Sequence, residues 1–293
     1  MIEQKIVPVS VIIINYKTPE LTINAIRALY KSTVIPAQII LVDNCSNDGC
    51  VDKVRKFFPS ISIIENLNNV GFAKANNKAI REVVNQPFVW LLNSDTETGP
   101  KSLEMLYEYI IRYPKLAAVG PQLVYPTREL QSVGGFFPSL SNVFLYLLPL
   151  TFFFPKKIRR RFKTLALYPQ PIPQEGKELD YVTGAACFLR KAALEQVGVL
   201  AEDYFMYFEE TDLCFKLKQA GWGVRVLNTD PVMHIYGGSF KTRYDSHRLK
   251  LFLESLQIFV KKNYIGFRKW AIISEIKVLG PLSLVLKKLK SIL

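Results

Sequence analysis

Phe88-Val89-Trp90-Leu91-Leu92-Asn93-Ser94-Asp95-Thr96-Glu97 is the stretch on which the fold turns. Five apolar residues in a row, Phe88 to Leu92, suit a strand buried on both faces, as in a parallel sheet covered by helices. The run ends in three short polar side chains, and a carboxylate at the carboxyl end of a buried strand lies where open α/β sheets take ligands. Asp95 is therefore a candidate ligand for a hard divalent cation, which binds through one or two carboxylates together with substrate phosphates. The same three residues are also favoured turn and helix-cap residues, so a second reading has them only turning the chain before a helix from Pro100.

Outward from this run, strands and helices alternate. Val9–Ile14 is β-branched and predicts a first strand, ending at Asn15 and Tyr16. Thr18-Pro19 reads as a cap and first turn of a helix reaching about Ser32. Gln38–Val42 is a second strand, closed by Asp43. A helix over Val51–Phe58, a strand over Ile61–Ile64 and a helix over Ala73–Asn85 follow. This alternation predicts a doubly wound, mostly parallel sheet. Beyond residue 100 the reading is a helix over Ser102–Tyr113, a strand over Ala117–Gly120, a strand pair around Gly184, a helix over Thr211–Ala220 and a strand over Val224–Leu227. A basic helical tail runs from Asp245, and no internal repeat is found.

With 293 residues, 49% hydrophobic and 22% charged, the chain is a folded globular protein with a sizeable core. A formal charge of +13 calls for an anionic partner: a phosphorylated substrate, a membrane surface or nucleic acid. Cys45, Cys50, Cys187 and Cys214 lack zinc-site spacing and read as free thiols of a cytosolic protein. No secretory leader is recognised, and the apolar stretch Leu140–Phe154, interrupted by Ser141, Asn142 and Pro149, is too short and too broken to span a bilayer.

Asn15, Asp43 and Asp95 end three predicted strands, and in a parallel sheet they ring one crevice. Asp43 suits a base N–H or a ribose hydroxyl, or else caps the turn from Ser46 to Gly49. The loop Asn68–Asn77 sets Gly71, Lys74, Asn76 and Asn77 at a helix start, where N–H groups and a lysine suit a diphosphate. It is neither a Walker loop nor a dinucleotide fingerprint. Tyr204–Asp212 reads Y-F-M-Y-F-E-E-T-D: Glu209, Glu210 and Asp212 repel one another, which raises some of their pKa values toward those of a general base. The alternative is that they serve the helix N-terminus electrostatically. His234, one of two histidines, is either structural or a ligand beside the carboxylate site.

The collinear stretches V-I-I-I-N-Y, L-V-D-N-C-S-N-D-G, N-N-V-G-F-A-K-A-N-N, W-L-L-N-S-D-T-E, G-A-A-C-F-L-R-K, F-E-E-T-D-L-C-F-K and H-I-Y-G-G-S resemble a family-2 glycosyltransferase of the GT-A fold, on the rhamnosyltransferase-like branch. The resemblance covers residues 8 to 240. It implies an α/β, Rossmann-like central sheet flanked by helices, with residues 1–100 as a nucleotide-sugar half, 101–240 as an acceptor and catalytic half, and 241–293 as a basic amphipathic tail. It further implies that Asp43 holds the nucleotide base with Asn15 and Tyr16 nearby, and that Asn69, Gly71, Lys74, Asn77, Asn93 and Ser94 contact the donor. Asp95 matches the last residue of a degenerate metal-binding D-x-D, with Asn93 where an acid often stands, and His234 matches a late metal ligand. Gly184 and Tyr207 fall on the acceptor side. Glu210 takes the place of the base, with Glu209 or Asp212 able to share it.

The activity so implied is an inverting, Mg²⁺- or Mn²⁺-dependent transfer from a dTDP- or UDP-linked sugar, with a lean to rhamnose, to a glycan or lipid-linked acceptor in cell-surface polysaccharide synthesis. The protein is expected in the cytoplasm, peripheral at the inner face of the cell membrane. The tail, with Lys156–Arg161, either lies on an anionic membrane or packs on the domain. Competing readings are a sugar-nucleotide binder without catalysis, a nucleotidyltransferase, and a nucleic-acid-binding protein. The last lacks any recognised motif, so no nucleic acid is expected as partner.

Overall fold

The computed structural model describes residues 4–148, 154–235 and 246–290. The last four residues of the H-I-Y-G-G-S stretch and the 149–153 part of the apolar stretch lie outside the described residues.

The first half alternates as the pattern requires: β1 (Lys5–Asn15), α1 (Pro19–Tyr30), β2 (Val34–Asp43), α2 (Cys50–Phe57), β3 (Ser62–Glu65), α3 (Phe72–Glu82) and β4 (Phe88–Asn93). β1 is parallel to both β2 and β4, and β2 is parallel to β3. The β-branched and leucine runs account for this. Ile12 and Ile13 of β1, Ile40, Leu41 and Val42 of β2, and Val89 and Trp90 of β4 are all 0% exposed, buried from both faces of the sheet.

The second half adds β5 (Thr96–Glu97), α4 (Ser102–Arg112), β6 (Leu116–Gly120), β7 (Leu123–Val124), β8 (Gly134–Gly135), α5 (Leu140–Leu147), α6 (Lys156–Arg159), β9 (Lys177–Glu178), β10 (Tyr181–Val182), β11 (Ala186–Arg190), α7 (Lys191–Val197), α8 (Glu209–Gln219), β12 (Gly223–Val226) and β13 (Val232–His234). The main sheet has eight strands in the order β3-β2-β1-β4-β11-β6-β12-β9, with β11 antiparallel to both β4 and β6. This is an α/β fold with a mostly parallel sheet flanked by helices, the architecture that the resemblance implies. The strands flanking Gly184 do not pair with each other, as the sequence had suggested. β10 pairs with β8 in a separate two-stranded ribbon, and β11 enters the main sheet. Glycine is required in that ribbon, because a Cβ on Gly135 would lie 1.7 Å from the Leu165 carbonyl oxygen.

Two expected caps take other forms. Asn93-Ser94-Asp95 turns the chain into β5 and does not cap α4, whose start is tied instead to Asp230: Lys101 N–H donates to its carboxylate at 3.0 Å and the Ser102 hydroxyl to its carbonyl at 2.5 Å. Thr18 stands at the start of α1, yet its hydroxyl turns to Ser94 Oγ at 2.9 Å instead of the helix.

α9 (Ser246–Asn263) and α10 (Gly266–Lys290) complete the chain. Leu256, Phe259, Val260, Ile272 and Ile276 bury themselves with Val143 and Leu147 of α5 and with Tyr204 and Phe208, in a second apolar cluster beside the sheet core. The tail thus packs on the preceding part of the chain through one face. Among the described residues no helix is long and apolar enough to cross a membrane.

Candidate active site

Parallel register sets Asn15 opposite Asp43, and Ile14 opposite Asn93, so three strand ends meet on one sheet edge. Asn15 is fully buried and spends its amide internally. Nδ2 donates to Asp43 Oδ1 at 2.8 Å and to Asp48 Oδ2 at 3.0 Å, while Oδ1 accepts from Thr22 Oγ1 at 3.0 Å. Asn15 therefore aims Asp43. The other carboxylate oxygen of Asp43 accepts from Ser46 N–H at 3.0 Å, which is the turn-capping role, and Asp43 retains 7% exposure at the crevice. Tyr16 is half-buried beside it, with Lys17 Nζ 5.4 Å from its ring centre.

The neighbouring loop is built around asparagine bonds. Asn44 Nδ2 donates to Asn69 Oδ1 at 2.7 Å, Asn44 Oδ1 accepts from Val70 N–H at 3.1 Å, and Gly71 N–H donates to Asn69 Oδ1 at 3.0 Å. Gly71 has φ +83°, a conformation that suits glycine, and opens α3 with Lys74 exposed on its first turn. Asn77 is fully buried and clamps the 200s segment, donating to Leu200 O and Glu202 Oε1, each at 2.8 Å. Asn15 and Asn77 are thus packed behind the crevice wall, whereas Asn69, Gly71 and Lys74 stand at its mouth.

The next pair is assembled by the smallest sheet. β13 lies between β5 and β7, with His234 opposite Thr96, which brings His234 against Asp95. Nε2 of His234 is 3.3 Å from Asp95 Oδ1, and both side chains are nearly buried. Gln131, unnoticed in the sequence, settles the histidine tautomer. Its Nε2 donates to the carbonyls of His234 at 2.5 Å and Val124 at 3.2 Å, so its Oε1 must face His234 Nδ1, 3.1 Å away. Nδ1 then carries a hydrogen, and Nε2 is the ring nitrogen turned toward Asp95. One carboxylate and one imidazole nitrogen is a donor set that fits a divalent metal whose remaining ligands come from phosphate oxygens and water. Among the described residues no group of three His, Cys, Asp or Glu side chains gathers to hold a metal.

Glu210 completes the ring. Asn93 N–H donates to Ala185 O at 2.9 Å, and the adjacent Gly184 N–H bonds the Glu210 carboxylate, as do the N–H groups of Glu210 and Thr211. A Cβ on Gly184 would touch Phe72 at 3.5 Å and Glu210 Cδ at 3.8 Å, so Gly184 keeps a side chain off the carboxylate, whose Oε2 is buried without a hydrogen-bond partner. Desolvation raises Glu210 to about 6, against which these main-chain bonds pull down. Glu209 is buried more deeply, its Oε2 has no hydrogen-bond partner, and desolvation followed by the charge of Glu210 lifts it well above the carboxylate range. Tyr207 and Phe208, just before this pair, both adopt left-handed backbone (φ 68° and 70°) and are pinned by Phe252 of α9. Such conformations cost about 1–3 kcal/mol each and persist where packing imposes them.

Asp212 has a different task. It is 0% exposed. Its Oδ1 accepts from Tyr204 Oη at 3.1 Å and Asn263 Nδ2 at 2.9 Å, and its Oδ2 lies 3.5 Å from Lys262 Nζ. This carboxylate fastens α8 to the tail and is not open to an acceptor hydroxyl.

The model of the family named glycosyl transferase family 2 matches residues 10–198. The N-acetylglucosaminyl-diphospho-decaprenol L-rhamnosyltransferase of Mycobacterium tuberculosis is 27% identical over 252 residues, covering 83% of this chain and 80% of that protein. A low-salt glycan biosynthesis hexosyltransferase of Haloferax volcanii is 25% identical, over 72% of this chain and 61% of that one. Among solved structures, a mannosyltransferase of Pyrobaculum calidifontis in complex with GDP-Man and Mn²⁺ superposes over 96% of this chain and 73% of its own, with TM-score 0.60 and 14% identity, a likeness of fold. With the family model matching well over half of the chain across the sheet edge just described, the protein is a glycosyltransferase belonging to glycosyl transferase family 2, on the branch whose curated relatives are a rhamnosyltransferase and a hexosyltransferase.

Proposed function

We propose that the protein transfers a sugar, rhamnose being the first choice, from a dTDP- or UDP-linked donor to a hydroxyl of a lipid-linked glycan acceptor, with inversion at the anomeric carbon. The sugar and the acceptor class are taken from the mycobacterial relative, named as an N-acetylglucosaminyl-diphospho-decaprenol L-rhamnosyltransferase.

The observation that carries this reading is the Glu210 carboxylate: held by Gly184 N–H, with its Oε2 buried and unpartnered, and raised to about 6. A base of that pKa is ionised near neutral pH and still basic enough to take a proton from an attacking hydroxyl. Glu209, more deeply buried and beside the charge of Glu210, is held well above the usual carboxylate value, first by desolvation. Glu210 therefore acts as the base, and inversion requires only one.

On the donor side, Asp43, oriented by Asn15, accepts from the base or ribose, with Tyr16 beside it. The main-chain N–H groups opening α3 and the Lys74 ammonium receive the diphosphate, and Asn93 and Ser94 line the floor at the end of β4. Asp95 and His234 would hold Mg²⁺ or Mn²⁺. When bound, such an ion neutralises charge on a departing nucleoside diphosphate. Tyr207 and Gly184 border the acceptor.

The test is a panel of dTDP-, UDP- and GDP-sugars with Mg²⁺ or Mn²⁺ and a polyprenyl-diphosphate glycan, read by nucleoside diphosphate release. One donor is expected to turn over, and Asp95→Ala and Glu210→Gln are each expected to abolish it. Release unaffected by Glu210→Gln would overturn the assignment of the base, and absence of both turnover and nucleotide binding would overturn the transferase reading.

A further inference from the structure

α10 is apolar on two opposite faces. One is buried: Ile272 is 0% exposed and Ile276 2%. The other is open. Phe267 is 76% exposed, Trp270 64%, Val278 71%, Leu282 46% and Val285 56%, preceded by Ile265 at 88%. The spacings of three, eight, four and three residues keep Phe267, Trp270, Val278, Leu282 and Val285 on one side of a helix. Together they make a stripe about 27 Å long at 1.5 Å per residue. The rings of Phe267 and Trp270 lie 5.9 Å apart at one end of it. A row of exposed large apolar side chains of this extent marks a surface that is covered in use.

Its charges select the cover. α10 contains six basic residues (Arg268, Lys269, Lys277, Lys287, Lys288, Lys290) and a single acid, Glu275. Lys277 follows Trp270 by seven residues and so lies on the same face, exposed, while Arg268 flanks it. Two copies of this helix laid side by side would set like charges against each other, because helix pairs are matched by opposite charges beside the apolar seam. Anionic lipid headgroups meet the same residues with the opposite sign, and an aromatic pair beside cations is the composition of a helix lying in a bilayer interface.

We infer that the exposed Phe267–Val285 stripe of α10 is a docking face for an anionic lipid bilayer, on which the helix lies flat. α9 connects this face to the chemistry. Asn263, four residues before Phe267, donates to Asp212 of the catalytic helix at 2.9 Å, so the docked helix is joined to α8 through one short turn. The inference rests on α10 alone and does not require the donor or acceptor named above.

The test uses the full chain with phosphatidylcholine vesicles, with and without phosphatidylglycerol, in a flotation assay at low and high salt. Binding is expected only with phosphatidylglycerol and is expected to weaken as salt rises. Val278→Glu and Trp270→Glu replace exposed side chains, so their melting temperatures should match the wild type while binding falls at least about tenfold. Trp270 emission should shift to the blue and be quenched by bromine-labelled lipid, and Trp270→Phe should remove that response, since Trp90 is fully buried and Trp222, half-buried and bonded to Gln196, lies outside α10. No flotation at low salt, or undiminished flotation of Val278→Glu, would overturn the inference. A concentration-dependent dimer broken by Val278→Glu in the absence of lipid binding would assign the face to a second copy instead. Nucleoside diphosphate release with a soluble acceptor reports separately on the transferase, so failure of either reading leaves the other standing.

Discussion

Replacing Glu210 by Gln should remove catalysis and stabilise the fold. The carboxylate sits where ionisation is disfavoured, raised from 4.5 to about 6 chiefly by desolvation. At 1.36 kcal/mol per pK unit, its ionised form costs the folded state about 2 kcal/mol relative to the unfolded chain. The sign follows from the direction. A carboxylate with a raised folded-state pKa leaves the protein most stable below the unfolded value of 4.5, and that stability is lost as pH rises through about 6. Gln keeps the shape and never ionises. Urea unfolding of wild type and Glu210→Gln should therefore coincide near pH 4.5 and separate to about 2 kcal/mol in favour of the variant by pH 8. Over the same range the variant should lose a factor on the order of 10²–10⁴ in turnover, the usual contribution of a general base. The wild-type kcat/KM should rise with pH through about 6. A variant less stable than wild type at pH 8 would refute the argument that Glu210 is held in an unfavourable environment, and with it the reason for naming it the base.

Asp212→Ala should behave in the opposite way, losing about 3 kcal/mol in the same unfolding assay, because Tyr204, Asn263 and Lys262 lose a buried acceptor. Gln131→Leu frees the His234 ring to take the other tautomer. It should weaken Mn²⁺ binding to the nucleotide complex about 10–100-fold, read by electron paramagnetic resonance titration, and lower the melting temperature, because the buried Val124 and His234 carbonyls lose their donor. Gly184→Ala places a methyl group at ordinary contact distance from Phe72 and Glu210, so stability should hold while the acceptor KM rises.

The sheet was legible because its signal is local. Five consecutive apolar residues before Asn93 and the β-branched run of β1 state their burial without reference to the rest of the chain. The ends Asp43 and Asp95 follow from the strands they terminate. What stayed hidden depends on contacts across long separations. β5, β7 and β13 are two or three residues long and carry no periodicity, yet their pairing sets His234 beside Asp95 and brings Gln131 to its ring. The antiparallel entry of β11 is invisible in a pattern that shows burial but not direction. Asparagine is equally ambiguous. Asn15 and Asn77 carry the residue type of a ligand contact, but both amides are consumed by protein partners. Asp212 stands two residues from Glu210 in sequence, but the helix turns it toward α9, where Asn263 waits 51 residues later. The tail offered two readings from one amphipathic pattern, and α10 has an apolar face for each: one packed, one open.

The most direct test is transfer itself. Labelled sugar should pass from its nucleoside diphosphate to a polyprenyl-diphosphate glycan in the presence of Mg²⁺ or Mn²⁺, with the product's anomeric configuration opposite to the donor's, and Glu210→Gln should fail to form it while still binding the donor. A product of retained configuration, or one formed equally well by Glu210→Gln, would contradict the account.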